Sequence, residues 1–177
     1  ENIRYHLKKL TDAGVICRFE AGIYYLPKKN IFGENSVISA ETVATHKYIL
    51  RQGKRVGFYS GYTLANRLGL STQMPFKEEI ISNYAPALVR DVSIKNRKYV
   101  IRKPVVEVTE ENAYVLQFLD CLKDIDKSAE EDMKVCGEIL TQFAIEHSIT
   151  KNQVDRLLCY YPLKVYKAIY ETEVKYV

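Results

Sequence analysis

The stretch from Glu1 to Lys29, ENIRYHLKKLTDAGVICRFEAGIYYLPKK, changes hydrophobic period partway along. Ile3, Leu7 and Leu10 fall at i, i+4 and i+7, the stripe of an amphipathic helix over residues 1–13. Gly14 follows the last turn, where a helix ends on a residue that accepts positive φ. VICRF then alternates and is rich in β-formers, Gly22 supplies a turn, IYYL returns as a second strand, and Pro27 ends it. A helix followed by a β-hairpin is the second half of a winged helix-turn-helix. No methionine opens the chain and its first residues already read as helix, so two further helices of such a module are expected ahead of it.

The residue types suit that module. On the face opposite the apolar stripe lie Asn2, Tyr5, Lys8 and Lys9, with Arg4 on the flank. A recognition helix carries such groups into the major groove, where Asn bonds adenine, Arg bonds guanine, and Lys contacts phosphate. The hairpin is then the wing, with Arg18, Lys28 and Lys29 along the backbone or in a minor groove. Asp12 sits late in the helix, beyond the usual reach of bases. Winged helices also serve as protein-interaction modules, and that alternative stays open on pattern alone.

Charge distribution agrees with a polyanionic partner. Residues 1–104 carry 18 Lys and Arg against 8 Asp and Glu, whereas residues 105–132 carry 2 against 9. An ordinary solvated surface accounts for the same numbers. No apolar run is long enough for a transmembrane helix. The four cysteines and three histidines are scattered without metal-ligand spacing. They read as reduced, buried thiols of a cytoplasmic protein, with no metal and no cofactor.

Beyond residue 30, Ser39 is a candidate cap for a helix over residues 40–51. Val56 and Phe58 read as a short strand, and 61–68 as a helix with Leu64 and Leu68 inward and Gly69 after its end. The stretch GKRVGFYSGYTLANRLGLSTQMP, residues 53–75, resembles the AbiEi-type antitoxins, the regulator half of type IV toxin–antitoxin systems. The opening LKKLTDAGVICRFEAGIYYLPKK and the tail DRLLCYYPLKVYKAIYE resemble the winged-helix end and the C-terminus of the same family. The resemblance implies a DNA-binding N-terminal domain and a larger C-terminal one. It further implies autorepression of an operon whose second product is a nucleotidyltransferase-like toxin, often tied to phage defence. Without the first helices of the family's module, DNA binding by these 177 residues alone is not expected to be strong.

KEEIISNY reads as a strand with Ile80 and Ile81 packed. RDVSIKNRKYVIRKP, residues 90–104, reads as a hairpin turning at Asn96–Arg97. Its Arg90, Lys95, Arg97, Lys98, Arg102 and Lys103 form a second basic surface, open either to nucleic acid or to the simpler role of a charged edge that blocks aggregation. Thr109 is a candidate cap for a helix over 110–122, followed by an acidic loop, DIDKSAEED. Helices are expected over 132–147, from Thr150 with Gln153 in capping-box spacing, and from near Pro162.

Enzyme patterns fit poorly. In GFYSG the second glycine comes one residue early for a nucleophile elbow, and RQGKR lacks the other members of a phosphate loop. The expectation is a non-enzymatic α+β protein. Residues 1–30 form a partial winged helix-turn-helix, and residues 31–177 a mixed α/β domain with a helical tail. It would act as a DNA-binding antitoxin that autorepresses its operon on double-stranded operator DNA, possible as a homodimer. The alternative is a neutralising interaction module with the winged helix as scaffold.

Overall fold

The computed structural model describes residues 2–31 and 33–177. The fold is α+β, and the chain divides into two compact units, Glu1–Val43 and Ala44–Val177. The boundary expected after residue 30 lies inside the first of them.

In the first unit, α1 (Ile3–Asp12) is followed by the antiparallel pair β1 (Cys17–Glu20) and β2 (Ile23–Tyr25). Local chemistry closes the helix: the Thr11 hydroxyl bonds the Leu7 carbonyl at 2.8 Å, and the Gly14 N–H returns to the Thr11 carbonyl. The expected buried stripe differs from what is observed. Helix α1 buries no residue; Ile3 is 73% exposed and Leu10 41%. The hairpin offers it little to pack on, because Phe19 is the buried side chain of those two strands.

The break between units falls in α2 (Ala40–Ala44), capped by Ser39, whose hydroxyl accepts the Thr42 N–H at 3.0 Å. A π-helical turn, Thr45–Ile49, continues it. The helix therefore ends short of residue 51, and the chain reverses through β3 (Leu50–Arg51) and β4 (Lys54–Arg55).

Next come β5 (Gly57–Ser60), α3 (Gly61–Leu68), β6 (Glu78–Ser82), β7 (Val89–Ile94) and β8 (Arg97–Arg102). They build a sheet of order β5-β6-β8-β7, antiparallel except for the parallel pair β6 and β8. The β7–β8 turn is Lys95–Asn96, one residue earlier than expected, since Ile94 pairs with Arg97. On one sheet face the π turn lies against β5 and β6, where Thr45 and Tyr59 share a hydroxyl hydrogen bond of 3.2 Å.

The other face meets α4 (Ala113–Ser128), the centre of the core. Val115, Phe118, Leu119, Leu122 and Ile125 are buried there with Phe58, Leu64 and Ile81, each side chain contributing roughly 2 kcal/mol. Around it pack α5 (Met133–Glu146), α6 (Lys151–Leu158) and α7 (Lys164–Thr172). The Thr150–Gln153 capping box is formed. Gly137 of α5 lets the backbone of α7 approach: a Cβ there would stand 1.8 Å from the Thr172 carbonyl oxygen.

Two further expectations are corrected. Thr109 does not cap α4; Asn112 holds the N-cap position without a side-chain bond to the helix, its Oδ1 instead accepting the Thr109 N–H at 2.7 Å. The acidic run also does not begin as a loop, because α4 continues through Asp124 and Asp126 to Ser128. Lysines make that continuation tolerable: Asp124 pairs with Lys123 and Lys164, both at 3.4 Å. Of the thiols, Cys121 and Cys136 are buried, Cys17 is half-buried and Cys159 is exposed; all are free.

Candidate nucleic-acid interface

Helix α1 places Arg4, Tyr5, Lys8 and Lys9 on contiguous surface, since i, i+3 and i+4 positions are neighbours on a helix. All of these are exposed, as is Asn2 at the N-cap position. Among the described residues, no carboxylate lies within ion-pair distance of Arg4, Lys8 or Lys9. The Tyr5 ring meets His6 edge-on at 5.5 Å.

The hairpin pairs Arg18 with Tyr24, and the Arg18 Nε donates to the Glu20 carbonyl at 3.4 Å. Arg18 is thus on the β1–β2 hairpin and exposed. Lys28 and Lys29 are exposed but lie past the end of β2. There Lys29 bridges to Asn35, and the Ser36 N–H donates to the Lys28 carbonyl at 2.7 Å.

The β7–β8 basic surface is different in kind. Arg97 pairs with Glu78 at 2.6 Å, and Arg102 with Glu79 at 3.2 Å. Arg67 also reaches Glu78, at 3.7 Å, and Lys77 pairs with Asp91. Parallel pairing of β6 with β8 brings these acids beside these arginines. Lys98 lies over the Phe76 ring at 4.8 Å. Arg90, Lys95 and Lys103 are exposed, and Arg90 is turned into a cleft rather than joined to the hairpin's other cations.

Part of the acidic segment has partners within the fold. Asp120 is 2% exposed; it accepts the Ser60 hydroxyl and pairs with Lys123. Partial burial works against the Lys123 charge, but Asp120 and Asp124 outweigh it and hold its pKa above the ordinary lysine value. Burial, then the nearby Asp120 carboxylate, pushes the Tyr161 phenol and the Cys121 thiol far up. Glu110 accepts the Arg55 N–H, and Glu130 accepts the Thr72 N–H and hydroxyl at 2.8 Å, which lowers the Glu130 pKa. Of these roles the i,i+3 pair of Asp120 with Lys123 had a local signal in the sequence; the contacts to Ser60, Arg55 and Thr72 had none.

A second arrangement that sequence reasoning missed is an aromatic stack. His147 lies parallel to Tyr114 at 3.7 Å, Phe143 meets His147 edge-on at 4.5 Å, and Arg55 covers Tyr114 at 4.5 Å. Among the described residues no group of His, Cys, Asp and Glu is placed to hold a metal, and no helix is long and apolar enough to cross a membrane.

Compared with known proteins, residues 1–147 match a family of unknown function, DUF6088, and the chain belongs to that family. A search of curated proteins found no match.

Proposed function

We propose that this DUF6088 chain is a duplex-DNA-binding regulator of the AbiEi antitoxin kind. In that reading it represses its own operon and opposes a nucleotidyltransferase-like toxin. It acts in the cytoplasm, without catalysis of its own, and a homodimer would match the inverted repeats such repressors bind. The observation that carries the reading is the α1 face, where Arg4, Lys8 and Lys9 stand together unanswered by carboxylates among the described residues, next to a hairpin bearing Arg18. Cations left in water release counterions when they meet phosphate, and that supplies affinity.

The test is binding of the whole protein to DNA from upstream of its own gene, across a salt series, against a scrambled duplex. Specific binding is expected, and Lys8→Ala with Lys9→Ala should lower the salt slope by about 2. No preference for the native duplex at any salt would defeat the proposal.

A second reading has its own observation. The other face of α1 leaves Ile3 and Leu10 in solvent, which suits a helix that docks on protein. In that case toxin neutralisation, not DNA binding, would respond to changes at Ile3 and Leu10.

A further inference from the structure

We propose that a cleft in the second unit, between the β3–β4 hairpin and the free edge of β7, binds single-stranded polynucleotide. Its phosphates would lie on Lys47, Arg51 and Arg90 and a base on Tyr84. The site is independent of α1 and does not rest on the duplex-binding reading.

The cleft is open to solvent and has a volume of about 520 Å³, suited to a nucleotide-sized group. Four consecutive residues of β7, Arg90 to Ser93, line it. Side chains of a strand alternate between faces, so a wall made of consecutive residues is the strand's edge. Register gives the same result. The Lys103 N–H donates to the Leu88 carbonyl at 3.0 Å, which makes 88 and 103 a hydrogen-bonded pair. By antiparallel alternation, Arg90, Val92 and Ile94 then bond toward β8, and the N–H and C=O groups of Asp91 and Ser93 point to the open edge. Those groups, with the Ser93 hydroxyl, can bond base edges.

The charge of the cleft is not neutralised. Lys47, Arg51 and Arg90 have no carboxylate within ion-pair distance among the described residues, and Asp91, the acid in the wall, is taken by Lys77. This contrasts with Arg97 and Arg102 on the same sheet, which are each matched by a glutamate. The fold even bears a cost here. Arg51 and Lys54 stand directly opposite across a two-residue turn, and like charges so placed repel. The turn itself requires left-handed backbone at Gln52, φ 52°, as well as at Gly53. A polyanion on Arg51 offsets that repulsion, although Lys54 itself lies outside the lining of the cleft.

The aromatic element is Tyr84. It is 48% exposed, with the Arg51 guanidinium 4.1 Å from its ring centroid. A cation groove with an accessible aromatic ring is how single strands are held with little sequence preference, through backbone contacts and base stacking. A duplex keeps its bases stacked on each other and cannot offer one to Tyr84. An acidic peptide would answer the same cations and the β7 edge, but it offers no base to the exposed Tyr84 ring.

The test uses the 177-residue chain and fluorescence anisotropy of labelled 12-nucleotide RNA and DNA of mixed sequence, the matching duplex, and poly-glutamate as competitor. Expected is binding of RNA or DNA single strands ahead of duplex, with the comparison of the two assigning the sugar. Lys47→Gln, Arg51→Gln and Arg90→Gln together should lower the salt slope by about 2, at ~0.7 per phosphate contact of a single strand. Tyr84→Leu should weaken binding about tenfold. The charge-keeping set Lys47→Arg, Arg51→Lys and Arg90→Lys should bind as the parent does, which separates lost charge from lost fold. The proposal fails if the parent binds no single strand. It fails if the Gln set binds unchanged, or if poly-glutamate displaces the oligonucleotide at equal charge. It also fails if Lys8→Ala with Lys9→Ala alone removes the binding.

Discussion

The unit around α1 and the core and sheet around α4 treat the same residue types in opposite ways, the cations of the β7 cleft aside. In the first, Ile3 and Leu10 face water and the helix cations stand unanswered among the described residues. In the second, α4 buries its apolar face completely, Asp120 is enclosed with two partners, and Arg97 and Arg102 each meet a glutamate. Counting charges or apolar residues therefore misjudges this chain. What matters is whether a partner already exists within the fold, and the first unit leaves more of its groups available to something else.

The sharpest way to break the comparison is packing. Gly137→Ala forces a methyl group against the Thr172 carbonyl, where helix backbone is on both sides. It should cost roughly 3 kcal/mol in urea unfolding. Ile3→Gln, on a helix that buries nothing, should stay within about 0.5 kcal/mol. Equal costs would show that the two units are packed alike.

A smaller effect lies in the Tyr114–His147 stack. Burial, with the Arg55 charge in support against Glu146, lowers the His147 pKa below its ordinary 6.5. The unfolded chain then takes up the proton first. Stability is complete above about pH 6.5 and declines as pH falls through the lower, folded value. Because His147 is partly open to solvent, the loss should be under about 1 kcal/mol. Unfolding midpoints at pH 7.5 and 5.5 should differ less in His147→Phe than in the parent. An identical pH response in both would remove His147 from the account.

The smallest expected change concerns the answered arginines. Arg97→Ala with Arg102→Ala should shift stability by about 0.5 kcal/mol and leave the salt slope of polynucleotide binding where it was. A drop in that slope would mean that ion pairing within the sheet does not withdraw a cation from a ligand.

Much of this was readable where punctuation is local. Gly14, Gly22 and Pro27 delimit α1 and the hairpin, the bounds of α3 match the expected 61–68, and Thr150 with Gln153 forms the box their spacing suggested. What could not be read depends on partners distant in sequence. The run DIDKSAEED looked like a solvated loop because Lys164, which pairs with Asp124, lies 40 residues away. The role of the basic hairpin stayed open because Glu78 and Glu79 reach it only through a parallel strand pairing that no local pattern encodes. The cleft cations are gathered from the π turn, a hairpin and a sheet edge, so no motif announces them.

That parallel pairing also bears on how the sheet is reached in time. Strand β8 lies inside the sheet between β6 and β7, although β7 precedes it in the chain. The β7–β8 ribbon, joined by Lys95–Asn96, can close locally within microseconds. Docking β8 beside β6 must instead close the intervening loop and bring Arg97 and Arg102 onto Glu78 and Glu79. These contacts form at a greater loop-closure cost than the ribbon's own turn. Until they do, the ribbon exposes two unpaired edges, and its row of cations discourages pairing with another chain. The same arginines that end as answered charges therefore guard the edges of the ribbon whenever β8 is undocked from β6.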